Sequence, residues 1–201
     1  MKEKRENQRE KLVAAACELA AQSGIAALRT RDIAKKAGVS VGTLHYCFAT
    51  KDELLQSLYE FIIDQFQNAT EHLAGKDRSI REDLIGQARL RLHLLRSQDT
   101  VYLAWRAFTR EAWTEPSVAH IMRAHYAEQR ARFEKILARG RKDGSLPPEP
   151  LIPDNVTAAL IVSFYEGLTV QWSMDRDKID PEEFVAGLHK LLGWKTPEVE
   201  A

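Results

Sequence analysis

The stretch TRDIAKKAGVSVGTLHYCFATKDELL, residues 30–55, decides the fold of the N-terminal part of this 201-residue chain. Its pattern predicts two short helices joined by a tight turn. Thr30 is the expected cap of the first helix, and Gly38 stands where the chain needs a left-handed residue. Ser40 is the expected cap of the second helix, which ends near Cys47 or Phe48. This is the layout of a helix-turn-helix.

The second short helix has an inward face and an outward face. Leu44 and Phe48 are four residues apart, so they share the side that packs against the first helix. The outward residues are therefore Val41, Gly42, Thr43, His45 and Tyr46. Hydroxyl and ring side chains of this kind contact phosphates and base edges in a major groove. The other interpretation is a plain three-helix corner whose polar face meets only water.

Charge is distributed unevenly along the chain, although the formal net charge is zero. Residues 1–51 hold ten Lys or Arg against five Asp or Glu, so their net charge is +5. The remaining residues hold 19 bases and 24 acids, which gives −5. A basic end on an acidic body is typical of a protein that meets a polyanion through that end, although a chance fluctuation would look the same.

Helix signals continue to the C-terminus, and no run of residues has the period-two alternation of a strand. Thr50 and Glu53 form a capping box, and Asp180-Pro-Glu-Glu183 opens the last helix in the same way. The proline-rich segment 144–154 is the one clear linker. We therefore predict an all-α fold of about nine helices, starting near residues 5, 30, 41, 51, 80, 100, 116, 155 and 181.

Composition and spacing exclude several classes of protein. No apolar run approaches the ~20 residues that span a bilayer, and Cys17 and Cys47 are too few for a disulfide framework or a four-cysteine zinc site. The charged N-terminus lacks the apolar core of a signal peptide, so we expect a reduced, cytoplasmic protein. The six histidines form no pair at i, i+4, and His45 and Cys47 lie on different helix faces. We therefore predict no metal, no cofactor, no catalytic residues and no enzyme activity.

At residues 28–55 the sequence resembles the TetR family of bacterial transcriptional regulators. Gly42, Thr43, Leu44 and Phe48 match the recognition helix of that family, and Lys51, Glu53 and Leu54 match the start of its fourth helix. The chain departs from the family pattern at His45, where tyrosine is usual, and at Cys47, where an aromatic residue or histidine is usual.

The resemblance implies a helix-turn-helix DNA-binding domain at residues 1–52 and a ligand-binding and dimerisation domain at residues 53–201. It also implies a homodimer whose recognition helices enter successive major grooves of a palindromic operator. The residues that we expect to contact DNA are Thr30, Arg31, Ser40, Val41, Thr43, His45, Tyr46 and Lys51.

The C-terminal run from Tyr165 to Trp194 resembles the branch of the family typified by the betaine-synthesis repressor. That resemblance places the dimer interface on the last two helices, as a four-helix bundle with the partner's pair. The eighth helix is apolar on two sides, as expected of a helix buried on two sides, although burial within one monomer would produce the same pattern. The expected interface residues are Leu160, Ser163, Gly167, Val170, Phe184, Leu188 and Leu191.

A small-molecule pocket is expected among the fourth to eighth helices, where aromatic residues are frequent. An aromatic stripe at helical spacing also suits an ordinary core, and His125 would serve equally well as a satisfied core histidine. The expected pocket residues are Tyr102, Trp105, Phe108, Met122, His125, Tyr126, Gln129, Phe164 and Tyr165.

These observations together predict a ligand-responsive transcriptional repressor that binds a palindromic operator as a homodimer and is released by a small-molecule inducer. The alternative is a dimeric small-molecule-binding protein that does not bind an operator.

Overall fold

The computed structural model of the chain describes residues 2–71, 80–97, 99–175 and 180–191, and across these ranges the fold is all-α, as predicted. The described ranges contain nine helices and no strand. In chain order the helices are α1 (Lys2–Ser23), α2 (Thr30–Ala37), α3 (Val41–Cys47), α4 (Lys51–Glu71), α5 (Ile80–Ser97), α6 (Thr100–Glu111), α7 (Pro116–Lys142), α8 (Asp154–Met174) and α9 (Pro181–Leu191).

Most of the predicted helix ends are observed. Gly38 has φ 69° and its amide bonds back to α2, Ser40 accepts from the Thr43 amide at 3.0 Å, and Asp180 accepts from the Glu183 amide at 3.1 Å. At the start of α4, Thr50 accepts from the Glu53 amide at 3.1 Å. The sequence also predicts a Ser79 cap for the fifth helix and an end of the last helix at Leu192, and both positions lie outside the described residues.

Three local predictions were wrong by one residue. Thr30 is the first residue of α2 and not its cap, because Arg29 holds the extended N-cap conformation. In the same way, α8 begins at Asp154, and Pro153 occupies the cap position. The Glu53 carboxylate accepts from the Ala49 amide at 2.9 Å, whereas a capping box would use the amide of Thr50.

The chain forms two compact units. The first contains Met1–Ala69 and Gln98–Ala124, and the second contains Thr70–Ser97 and His125–Ala201. The predicted boundary between a DNA-binding domain and a sensor domain, at residues 52 and 53, stays a prediction, and the limits of these compact units do not coincide with it. The physical reason lies in α1, whose apolar side is covered by α6 as well as by α2 and α3.

The core of the first unit is built on this contact between α1 and α6. Leu12 and Ala16 of α1 are completely buried, as are Ala104 and Phe108 of α6. Tyr59 of α4 meets the Phe108 ring edge to face, with 6.3 Å between ring centroids. The α1 helix, against which α2 and α3 pack, is therefore covered on its other side by α6, which α4 also contacts.

The second unit has a separate core, in which α5 packs against α8 and α9. Phe133 of α7 and Tyr165 of α8 stack at its centre, with 5.9 Å between their rings. The buried residues of this core are Ile80, Leu84, Ala88, Phe133, Leu137, Leu146, Ala158, Ile161, Val162, Tyr165, Leu168, Val185 and Leu188. Arg141 of α7 holds the linker before α8 in place. Its guanidinium binds the Asp154 carboxylate and donates to the Pro147 carbonyl.

Candidate nucleic-acid interface and sensor residues

The helix-turn-helix is held together by a small apolar core. Ile33 and Ala34 of α2 are buried at 1% exposure each, against Leu44 and Phe48 from the second half of the motif. The α2–α3 connection is short because Gly38 takes the left-handed conformation and the Val39 amide bonds to the Ala34 carbonyl at 3.0 Å. This core fixes which side of α3 faces outward.

The outward face of α3 carries the side chains that the sequence assigned to it. Tyr46 is 63% exposed, and His45 and Gly42 are exposed beside it. The Thr43 hydroxyl lies 2.9 Å from the Ser40 hydroxyl, which also caps the helix. This contact between the two hydroxyls restrains the Thr43 side chain.

The eight residues expected to contact DNA are all accessible to solvent. Those that are exposed are Arg31, Ser40, His45, Tyr46 and Lys51, and those that are half-buried are Thr30, Val41 and Thr43. Thr30 and Lys51 stand at the first positions of α2 and α4, where free backbone amides attract phosphate.

Arg9 is a residue of this region that sequence reasoning missed. Its guanidinium lies 4.3 Å from the Phe48 ring and donates to the Cys47 carbonyl at 2.6 Å, to the Glu53 carboxylate at 2.8 Å and to the Ser57 hydroxyl at 3.0 Å. The hydrogen bond from Arg9, with that from the Ala49 amide, lowers the pKa of Glu53. Arg9 thereby ties α1 to the end of α3 and the start of α4. Because these partners lie 38 to 48 residues away in sequence, no local spacing signals them.

The expected pocket residues are divided between the two units. In the first unit Tyr102, Phe108 and Met122 are buried, and the half-buried Trp105 meets Phe66 edge to face at 6.1 Å. Their burial agrees with an ordinary core at least as well as with a pocket wall.

In the second unit, Tyr165 belongs to the core, because its hydroxyl donates to the Leu84 carbonyl at 2.7 Å. His125 is 7% exposed and its ring lies 5.3 Å from that of Tyr126. Gln129 and Phe164 are half-buried, and Phe164 stacks on Phe184 with 3.9 Å between ring centroids.

A half-buried cluster of ionisable groups in the second unit was also missed. The Arg91 guanidinium of α5 lies 4.7 Å from the Tyr165 ring and donates to the Gln87 side chain at 3.1 Å. Tyr126 of α7 hydrogen-bonds to the Glu166 carboxylate of α8. Burial shifts each group toward its neutral form: the pKa of Glu166 rises, that of Arg91 falls, and that of Tyr126 rises to about 12.

Such a cluster is a candidate site for the polar part of a ligand, since strongly perturbed groups concentrate at functional sites. The sequence does not distinguish Arg91 from Arg89, because both occupy polar positions in the pattern of α5.

The expected dimer interface corresponds to an exposed apolar strip on α8. Leu160 is 46% exposed and Val170 is 60% exposed, Ser163 is exposed between them, and a Cβ on Gly167 would meet no atom within 4 Å. The strip continues at both ends with Val156 and Met174. Large apolar residues at this exposure, in one row, are unusual on a surface that meets only water.

The predicted interface residues on α9 differ in their exposure to solvent. Leu191 is 78% exposed and Phe184 is half-buried, so both remain available to a partner. Leu188 does not, because it is 3% exposed and packs in the core of its own unit, where α5 covers it.

An open groove of about 610 Å³ lies between α1 and α4, and none of the expected pocket residues lines it. Its floor is Val13, Ala14 and Phe61, and its rim is mainly charged, with Glu6, Arg9, Glu10, Lys11, Glu60 and Asp64. No group of His, Cys, Asp or Glu in the described ranges could hold a metal ion. Likewise, no helix among those residues is both long enough and apolar enough to cross a membrane.

Two family models match the chain. The model described as bacterial regulatory proteins, tetR family, matches residues 12–58. The model described as the C-terminal part of BetI-type transcriptional repressors matches residues 81–193. The first range contains α2 and α3, and the second contains the ionisable cluster and the exposed strip of α8.

Individual proteins agree with this result. The chain is 24% identical over 169 residues to the nicotine-responsive transcriptional repressor HdnoR of Paenarthrobacter nicotinovorans, which covers 84% of this chain and 85% of that protein. It is 29% identical over 148 residues to the HTH-type transcriptional regulator LuxR of Vibrio harveyi, covering 71% of each. A solved TetR-family regulator from Rhodococcus sp. has the same fold, with a TM-score of 0.75, 22% identity, and coverage of 93% of this chain and 97% of that one.

Proposed function

The chain belongs to the tetR family of bacterial regulatory proteins, and on that basis we propose that it is a repressor which binds a palindromic operator as a homodimer and is released by a small-molecule inducer. Its family and fold are those of transcriptional regulators. The proposal concerns the finer points, namely the operator, the dimer, the inducer and the direction of regulation.

The observation that carries the proposal is the outward face of α3. Thr43, His45 and Tyr46 are presented to solvent by a buried core on the opposite side of the same helix, and the Ser40 cap fixes the position of Thr43. Exposed donors and acceptors on the second helix of such a motif are suited to reading base edges. We propose that these three residues read bases and that Thr30, Arg31, Ser40, Val41 and Lys51 contact the backbone and groove walls around them.

The exposed strip of α8 supports the homodimer. A two-fold axis that brings two α8 strips together would cover Leu160 and Val170 from both copies, and the bare backbone at Gly167 would allow close approach. Phe184 and Leu191 of α9 would join that bundle. Two recognition helices in one dimer then require two half-sites, which makes the operator a palindrome.

The ionisable cluster of the second unit supports a small-molecule inducer. Arg91, Tyr126 and Glu166 offer a charged donor, a hydroxyl and a carboxylate within an apolar surrounding, which is the composition of a ligand site. We propose that they hold the polar part of the inducer and that His125 and Gln129 line the same site. The relative from P. nicotinovorans is named as nicotine-responsive, and a small organic effector is proposed here by that analogy.

Release requires that the inducer bind more tightly to the form that does not bind DNA. We propose that inducer binding displaces α4, whose first residue Lys51 contacts a DNA phosphate. The displacement would change the separation of the two recognition helices and lower the affinity for both half-sites. An activator would use the same contacts and differ only in where its operator lies.

A gel-shift experiment with the DNA that flanks the protein's own gene tests this function. We expect a salt-sensitive complex, and we expect His45→Ala to weaken it roughly tenfold, because one base contact contributes about 1–3 kcal/mol. His93→Ala is the control, since His93 is an exposed histidine on α5. If an intact dimer gives no salt-sensitive complex, the repressor is excluded, and a dimeric small-molecule-binding protein remains.

A further inference from the structure

Arg5, near the start of α1, lies over the exposed Tyr46 ring of α3. Its guanidinium carbon is 5.3 Å from the centroid of the Tyr46 ring. A guanidinium within about 6 Å of an aromatic face is attracted by the electrons of the ring. Both side chains are exposed to solvent, so the pair stands on the surface of the first unit.

Among the described residues, no acceptor binds the N–H groups of Arg5, in contrast to those of Arg9 one turn later on the same helix. Arg9 also lies over a ring, but its N–H groups are occupied by the Cys47 carbonyl, Glu53 and Ser57. Within the described part of the chain, Arg5 makes no hydrogen bond and no ion pair. Attraction to a ring uses the charge of the guanidinium and none of its five N–H donors.

The Glu53 carboxylate, which is distant from Arg5 in the sequence, does not form an ion pair with it. Glu53 lies close enough for the charge of Arg5 to lower its pKa, but its oxygens already accept from Arg9 and from the Ala49 amide. Among the described residues, Arg5 therefore keeps its N–H donors available beside a residue that faces DNA in the proposed function.

We propose that Arg5 and Tyr46 form one composite contact to the operator, in which Tyr46 holds the guanidinium in place and Arg5 binds a phosphate of the backbone. Arginine is suited to this role because its planar fork can donate two hydrogen bonds to one phosphate. Holding the side chain on a ring before binding reduces the conformational freedom lost in the complex. The inference rests on the proposed function and adds α1 to the DNA-binding surface.

The test measures the affinity of the full-length protein for a fluorescent 30-base-pair duplex at several KCl concentrations. Each phosphate contact that is lost makes the slope of log K against log [KCl] shallower by about 0.9. We expect Arg5→Ala to make it shallower by that amount for each bound protomer and to weaken binding by about tenfold or more. Arg5→Lys should retain the slope, since it keeps the charge. Arg123→Ala removes an exposed arginine of α7 and should change neither quantity.

A double-mutant cycle tests whether the ring is part of the contact. Tyr46→Phe keeps the ring and should preserve the effect of Arg5→Ala, whereas Tyr46→Ala should reduce that effect. If Arg5→Ala costs the same with and without the ring, the composite contact is excluded. If the wild type binds DNA and Arg5→Ala binds it with the same slope of log K against log [KCl], the inference fails while the repressor function stands. If the wild type does not bind DNA at any salt concentration, both fail.

Discussion

The buried side chain of His125, in the second unit, is harder to protonate than an exposed histidine. The side chain is 7% exposed, and burial, with a smaller contribution from Arg91, lowers its pKa to about 4. The imidazole is therefore neutral at pH 7, while an unfolded chain would begin to protonate it near pH 6.5. Stability that depends on the neutral form is complete above pH 6.5 and is lost as the pH falls toward 4.

We expect His125→Asn to remove part of this acid sensitivity. The shift corresponds to at most about 3 kcal/mol between pH 7 and pH 4, so the variant should lose less stability on acidification than the wild type. Urea unfolding at pH 7.5 and pH 4.5 measures the difference. His120→Asn, an exposed position on the same helix, should keep the wild-type pH dependence. Equal pH dependence in His125→Asn and wild type would show that His125 is not responsible.

The cap residues show what sequence can predict about single positions. Ser40, Thr50 and Asp180 were recognised because a cap signature lies within four residues of its own helix. The roles of Arg5 and Arg9 could not be read in this way, since their partners come from α3 and α4. Likewise, the sequence does not show that α2 begins at Thr30, because the N-cap residue Arg29 makes no side-chain hydrogen bond to the helix.

The helix α6 is fastened to the turn between α1 and α2 by one side chain. Glu111, its last residue, accepts from the Ile25 amide at 3.0 Å with one oxygen and from the Ala26 amide with the other. Gly24 makes room for this carboxylate, because a Cβ there would lie 2.5 Å from it, and its φ of 85° also favours glycine. The carboxylate thus caps two backbone donors, one buried at Ile25 and one partly buried at Ala26.

We expect Glu111→Ala to destabilise the protein by about 2–4 kcal/mol, because the buried Ile25 amide and the partly buried Ala26 amide lose their acceptor. Glu111→Gln should cost roughly half as much, since one oxygen remains. Urea unfolding at pH 7 provides the measurement. Glu128→Ala, an exposed glutamate on α7, should change stability by no more than about 0.5 kcal/mol. A Glu111→Ala protein as stable as the wild type would mean that water replaces the carboxylate.

The predicted helices agree with the structure because helical periodicity is a local property of the sequence. Which neighbour covers a helix is not local, and α9 illustrates the difference. Leu188 and Leu191 are three residues apart and share a face in the sequence pattern, yet α5 covers only the first. The same limit applies to α6, whose aromatic residues suggested a pocket and whose packing partner is α1.

Across the molecule, the basic and acidic parts of the chain do not coincide with the compact units. Residues 98–124 belong to the acidic part of the sequence but pack with the basic N-terminus. The family could be recognised from a short motif, whereas the units required the tertiary contacts of α1. The exposed strip of α8 could be predicted because a helix that is apolar on two sides needs two partners.

We expect Gly167→Leu to abolish or weaken the proposed dimer while leaving the fold intact. A Cβ at this position meets no atom within 4 Å in its own chain, and leucine is a better helix former than glycine. Sedimentation velocity at micromolar protein, with a thermal melt alongside, separates association from stability. Glu128→Leu adds an exposed leucine on α7 and should remain dimeric. A Gly167→Leu protein that stays dimeric would place the interface on another surface.

The anchoring of the α1–α2 turn by Glu111 limits how this regulator can be re-engineered. A hybrid that grafts residues 1–52 onto a foreign sensor would leave the apolar side of α1 without α6 and the amides of Ile25 and Ala26 without their carboxylate. The portable part of this protein is therefore discontinuous in sequence. A functional chimera would have to carry Gln98–Ala124 together with the N-terminal helices.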